Sequence, residues 1–224
     1  MDNELKHIIS SFFWPVLLLI VIWFVFLLQH ILPFDPGVLG IYPHHAEGLH
    51  GIVTTVFVHQ NLGHIISNSI PLLILGWALF YYYPEFAFKS LIWMWLTTGL
   101  WVWFFARENY HIGASGLVYA LAFFHIVSAL MRRVYGLLAF AMLVVFLYGG
   151  MIWGFFPELF PRKNISWESH LMGALAGVVF AIYYRKKGVQ RHNYFDEEDD
   201  EDDDYDQESP YHAHIKYHYT ENEE

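Results

Sequence analysis

Asp, Glu, Lys and Arg break the chain into apolar stretches, and six windows contain none of them: 7–34, 48–84, 90–106, 109–131, 134–157 and 169–184. A helix needs about 20 apolar residues, and no fewer than about 17, to cross a hydrocarbon core of roughly 30 Å. The first, second, fourth and fifth windows exceed that length. The third and sixth are marginal, but Trp93, Trp101, Trp103, Trp167, Tyr183 and Tyr184 sit at their ends or flanks, where interfacial aromatics belong. The pattern predicts six membrane helices near 12–31, 62–82, 87–105, 115–131, 135–155 and 168–184, and hence an all-α polytopic membrane protein. A soluble all-α protein with very apolar helices is the other fold that such a pattern allows. Segment 33–58 is too rich in proline and glycine for a plain helix and is expected to be the first extracytoplasmic loop.

Composition agrees with the pattern. The chain is 56% hydrophobic and 15% charged, against about 45–50% and about 25% for soluble domains. Its net charge of −10 is local: residues 196–224 hold 14 of the 22 acids and one of the 12 bases, leaving 8 acids and 11 bases in 1–195. That balance gives no charged field for nucleic acid. "DEEDDEDDDYD" cannot bury enough apolar surface to offset the cost of ordering, so the chain divides into a membrane domain, 1–189, and an acidic tail, 190–224, expected to be disordered. His212, His214 and His218 in that tail are read as solvated rather than metal-binding. Cysteine is absent, which excludes disulfides, thiol catalysis and cysteine-held zinc. No cofactor or metal is expected.

Lys and Arg set the orientation. With the N-terminus inside, the inner segments carry Lys6, Lys89, Arg132, Arg133, Arg185, Lys186, Lys187 and Arg191, and the outer ones Arg107, Arg162 and Lys163. Both termini are therefore expected in the cytoplasm, in a plasma membrane of bacterial type. The first apolar run is followed by "LPFDPG" rather than a small-residue cleavage site, so it is expected to remain as an anchor.

Polar groups within spans are costly, and they usually face the bundle interior. Three places stand out: "HQNLGHIISN" with His59, His64 and Asn68 leading into the second span; Ser115 between Gly113 and Gly116 at the mouth of the fourth; and His170 at the start of the sixth. His64 and Asn68, four apart, share one helix face. All three places lie near the outer ends of their helices. A hydroxyl, an imidazole and an imidazole–amide pair are the parts of a serine hydrolase: nucleophile, base and oxyanion donors. Glu168 falls on a different face from His170, so the residues allow a Ser–His dyad rather than a triad. Taken singly, Ser115 could bond back to its own helix, His170 could mark a wet helix end and Asn68 could join helices.

Together, "HQNLGHIISN", "GASGLVYA" and "HLMGALAG" resemble the rhomboid family of intramembrane serine proteases. They match its H-x4-H-x3-N, GxSG and H-x2-G-x3-G motifs, in order and on the expected helices, over about 50–185. The resemblance implies a six-helix rhomboid-like bundle. It makes Ser115 the nucleophile and His170 the general base. His64, Asn68 and the Ser115 N–H become the oxyanion hole, and Tyr119 the ring on which the histidine stacks. It further implies transmembrane protein substrates cleaved near the outer leaflet. The chain departs from many rhomboids in one respect: the first-loop Trp-Arg pair is absent, and the loop reads "GVLGIYPHHAEGLHG".

Close approach of the fourth and sixth helices requires small residues at their contact. Gly173 and Gly177, with Ala174 beside them, lie on the face of His170, and Gly116 and Ala120 are expected to answer them. Gly188, beyond the end of the sixth span, is expected to tolerate valine. Two other functions are weighed: an inactive rhomboid relative that binds membrane clients, and a metal-handling protein using His44, His45, His50, His59 and His64. The second lacks both an HExxH motif and carboxylates inside the spans.

Overall fold

Apolar side chains dominate every long helix, and the sides that carry them face outward as often as inward. Helix α2 (Phe13–Ile31) exposes Phe13, Ile20, Phe24, Leu27 and Ile31, and helix α7 (Tyr135–Tyr148) exposes Met142 and Phe146. Such a surface would drive association in water but suits a helix bathed in lipid. The computed structural model describes residues 3–32, 35–150 and 166–190. The predicted end of the fifth span (151–155), Arg162, Lys163, Arg191 and the acidic tail with its three histidines lie outside the described residues.

Eight α-helices occur among the described residues. Besides α2 and α7 these are α1 (Asn3–Ser10), α3 (Gly51–Thr54), α4 (Leu62–Tyr82), α5 (Ala87–Phe105), α6 (Ser115–Arg132) and α8 (Trp167–Tyr183). The α1–α2 run (Asn3–Ile31), α4 and α6 are each long and apolar enough to cross a membrane, and α7 is a shorter apolar helix. Helices α5 and α8 occupy the third and sixth predicted spans. Residues 35–57 form a chain of single helical turns rather than one helix, as proline and glycine there require.

Helix α6 is the centre of the bundle. It packs against α4, α5, α7 and α8, and most of its residues are buried. Its contact with α8 is the most extensive in the protein. With no hydrophobic drive between helices in lipid, that contact rests on backbone approach. A Cβ at Gly173 would overlap the Gly116 carbonyl, and one at Gly177 would overlap the Ala120 carbonyl. The two backbones touch over these two turns. Between α4 and α6 the contact is polar as well: His125 Nε2 faces the Leu75 carbonyl at 2.9 Å, and since a carbonyl only accepts, the nitrogen donates.

At the opposite end, Arg132 is buried. Its guanidinium donates to the carbonyls of Tyr184, Lys187 and Val189 and lies 5.2 Å from the Tyr83 ring centroid. A residue counted above as a loop charge is thus the C-terminal cap of α8. The same region corrects the expectation for Gly188. Its φ is +74°, and a Cβ there would stand 3.2 Å from Phe86 Cε1, so a β-branched side chain is disfavoured by backbone and space alike.

Candidate active site

Helix α4 begins where Asn61, in extended conformation, accepts the His64 N–H on its Oδ1 at 2.9 Å. Such a cap is typical of asparagine, and it fixes the first turn that carries His64. One turn on, Asn68 is buried and its Nδ2 donates to the His64 carbonyl at 3.0 Å. The amide has two N–H donors, so this bond occupies one of them.

The approach to α6 is a tight loop. Gly113 has φ +109°, which an L side chain rarely adopts. A Cβ there would lie 2.6 Å and 2.7 Å from Cε1 and Nε2 of His64. The missing side chain is therefore what lets the His64 imidazole rest against the backbone two residues before Ser115. The Gly113 N–H donates to the Thr55 carbonyl (2.9 Å), and the Ala114 N–H to His59 Nε2 (3.3 Å). Ser115 follows as the first residue of α6. Its N–H belongs to the first turn, whose donors have no partner within the helix and whose dipole end is positive.

Helix α8 brings His170 to the same place. Ser166 caps it by accepting the Ser169 N–H. His170 Nε2 stands 3.1 Å from Ser115 Oγ. Tyr119, one turn into α6, stacks on the imidazole with centroids 4.2 Å apart and planes 7° from parallel. Gly116 completes the fit: a Cβ there would meet Thr98 Cγ2 at 3.0 Å and the Ser169 carbonyl at 3.2 Å. Glu168 is buried, and its Oε1 pairs with Arg107 Nε at 3.1 Å. The carboxylate thus serves the loop before α6.

Of the residues singled out by sequence, His170 meets both Ser115 and Tyr119, His64 lies against Gly113, and Gly173 and Gly177 hold the helices that carry them. Asn68 shares the α4 face, bonded within its own helix. Two further residues contribute: Gln29, which the sequence pattern did not single out, and His59, which it did. Gln29, near the end of α2, clamps His59 by donating to its carbonyl (3.1 Å) and accepting its N–H (3.4 Å). His59 itself is fully buried, its ring edge-on to His64 at 5.0 Å. Burial, reinforced by the neighbouring His64, pushes the His59 imidazole down to about 3, so it accepts the Ala114 N–H as the neutral ring. Gln29 could have been found as a strongly polar side chain inside a charge-free window. His59 was visible in its motif and in the metal-handling reading, but its role as acceptor of the Ala114 N–H was not.

Among the described residues no group of three or more His, Cys, Asp or Glu side chains could hold a metal ion. The arrangement instead offers a hydroxyl within hydrogen-bond distance of an imidazole nitrogen, at the start of a helix.

A family model, the Rhomboid domain, matches residues 46–187. The chain is 35% identical over 149 residues to an uncharacterized protein of Mycobacterium tuberculosis, covering 63% of this chain and 62% of that one. An uncharacterized protein of Mycobacterium leprae is 32% identical over 147 residues, covering 61% and 56%. A protein of Acanthamoeba polyphaga mimivirus, to which the name rhomboid is given provisionally, is 24% identical over 170 residues, covering 73% and 90%. The chain spans less than two thirds of the length of the mycobacterial relatives.

Proposed function

This chain belongs to the rhomboid family, and we propose that it is an intramembrane serine endopeptidase cutting transmembrane protein substrates near the outer membrane face. The observation that carries this reading is the 3.1 Å separation of Ser115 Oγ and His170 Nε2 between two helices in backbone contact. Ser115 donates its proton to Nε2 as Oγ attacks the scissile carbonyl carbon. The resulting oxyanion is met by the Ser115 N–H, by His64 and by the second N–H of Asn68. These donors act where charge develops. Collapse of the adduct expels the amine, which takes the proton back from His170, and a water then releases the acyl group by the same steps reversed. No cofactor enters this chemistry.

Six spans fit this reading, with α5 and α8 crossing in the shelter of α6. The excess of Lys and Arg on the inner segments supports cytoplasmic termini and hence an outward-facing site in a bacterial-type plasma membrane.

The deciding experiment compares the purified protein with its Ser115→Ala variant on a panel of single-span peptides, and labels both with a fluorophosphonate. Cleavage and labelling by the unsubstituted chain alone are expected. Cleavage by Ser115→Ala would remove the protease reading. Absence of cleavage and labelling in both would favour a client-binding relative without catalysis.

A further inference from the structure

His111 opens the stretch that leads to Ser115, yet no step of the proposed reaction uses it. It is buried, and every polar atom it has is engaged. Its N–H and carbonyl pair with Ile41 at 2.9 Å each, and its carbonyl also accepts the Thr55 hydroxyl at 2.7 Å. Thr55 in turn accepts the Gly113 N–H. The backbone of His111 is therefore built into the frame that sets the loop before Ser115.

Its ring reaches the other way, to α8. Nε2 faces the Arg107 carbonyl at 3.0 Å, and because a carbonyl only accepts, Nε2 carries the proton. Nδ1 of the neutral ring is then an acceptor, and Ser166 Oγ donates to it at 2.5 Å. With its one proton so placed, Ser166 Oγ accepts both the Ser169 hydroxyl at 2.6 Å and the Ser169 N–H at 3.3 Å. The chain of bonds runs Ser169 to Ser166 to His111 to Arg107, with every direction fixed. Burial holds the His111 imidazole below its ordinary value; the Arg107 carbonyl and Glu168 pull the other way, and the Arg107 guanidinium adds to the lowering. A neutral ring is also what the positive end of α8 prefers.

Ser169 immediately precedes His170, and its carbonyl packs on Gly116. We propose that His111 is a positioning residue: through Ser166 it latches the first turn of α8 to the frame that holds Ser115, and so sets the approach of His170 to the nucleophile. This rests on the protease reading above. The glycine contacts bring α6 and α8 together, and the latch fixes the outer end of α8 against them.

The test uses His111→Leu, which cuts the latch but leaves the Ser166 cap, Ser166→Ala, their double variant, and His111→Asn, whose amide oxygen restores an acceptor for Ser166. Each full-length protein is assayed for fluorophosphonate labelling rate and for kcat and KM on a single-span peptide that the unsubstituted chain cleaves. Ser115→Ala is the blank. The expected result is a loss of about tenfold in kcat and labelling rate for His111→Leu and Ser166→Ala, within the range that misplacement can cause. KM should be unchanged, the double variant no worse than either single one, and His111→Asn within about threefold of the starting protein, that is, above the tenfold loss. Unchanged kcat in His111→Leu, losses that multiply in the double variant, or His111→Asn as slow as His111→Leu would each overturn the latch and leave the dyad standing. Cleavage by Ser115→Ala would instead remove the protease reading itself.

Discussion

Gly173 of α8 lies directly on the Gly116 carbonyl of α6, with no room for a Cβ between them. Ser115 is the neighbour of one glycine, and His170 stands one turn before the other. Gly173→Val should therefore force the helices apart and separate the dyad without changing a reacting group. A displacement of about 1 Å can cost about 10²-fold, and a loss of that order in kcat/KM is expected from cleavage assays. Gly136→Val is the matched control, because nothing lies within 4 Å of a Cβ built there; it should cleave normally. Gly188→Val is unsuitable as a control: at φ +74° it should lower thermal stability in detergent by about 1 kcal/mol or more.

The Tyr119 ring lies parallel to His170 at 4.2 Å. Tyr119→Phe keeps the stack and should retain most activity. Tyr119→Leu removes it and frees the imidazole to turn from Ser115. Aromatic pairs contribute about 0.5–1.5 kcal/mol beyond burial, so up to about a tenfold loss in kcat is expected, with KM little changed. Equal rates for the two variants would show that the ring does not orient His170.

Much of this candidate site is legible in the sequence, for a physical reason. Polar side chains are rare where a bilayer excludes water, so Ser115, His170, His64 and Asn68 stand out against the apolar background. The glycine face of α8 follows from their register. What escaped reading was polar but local in its purpose. His125 spends its donor on the Leu75 carbonyl, Gln29 on His59, and Arg132 on the end of α8, and nothing in their spacing names the backbone atom each will meet. The Gly188 misjudgement has the same origin, since a positive φ depends on how the chain leaves α8. Likewise, α5 and α8 are not among the three helices that are long and apolar enough to cross a membrane by themselves, so hydropathy alone does not decide the third and sixth predicted spans.

Asn68 bonds within its own helix through one N–H, and in the proposed mechanism its second N–H meets charge that arises only during reaction. Removing one oxyanion donor typically costs about 10²–10³ in kcat. Asn68→Ala should fall in that range with KM nearly constant. A change confined to KM would assign Asn68 to substrate binding.

His59 couples the site to acid stability. Its ring is held neutral down to about 3 by burial and by the neighbouring His64, against an ordinary value of 6.5. Below pH 6.5 the unfolded chain takes up a proton at this position that the folded chain refuses. Stability is therefore fully present above about 6.5, is lost progressively as pH falls toward 3, and changes no further below that. At pH 5 the difference of 1.5 units corresponds to at most about 2 kcal/mol. His59→Gln supplies an amide oxygen for the Ala114 N–H and has no titrating group in this range. Melting temperatures in detergent between pH 7 and pH 4 should fall more steeply for the unsubstituted protein than for His59→Gln, with the gap opening below about pH 6.5. Parallel curves would mean that His59 protonation is not linked to folding, and that the Ala114 N–H does not depend on a neutral ring.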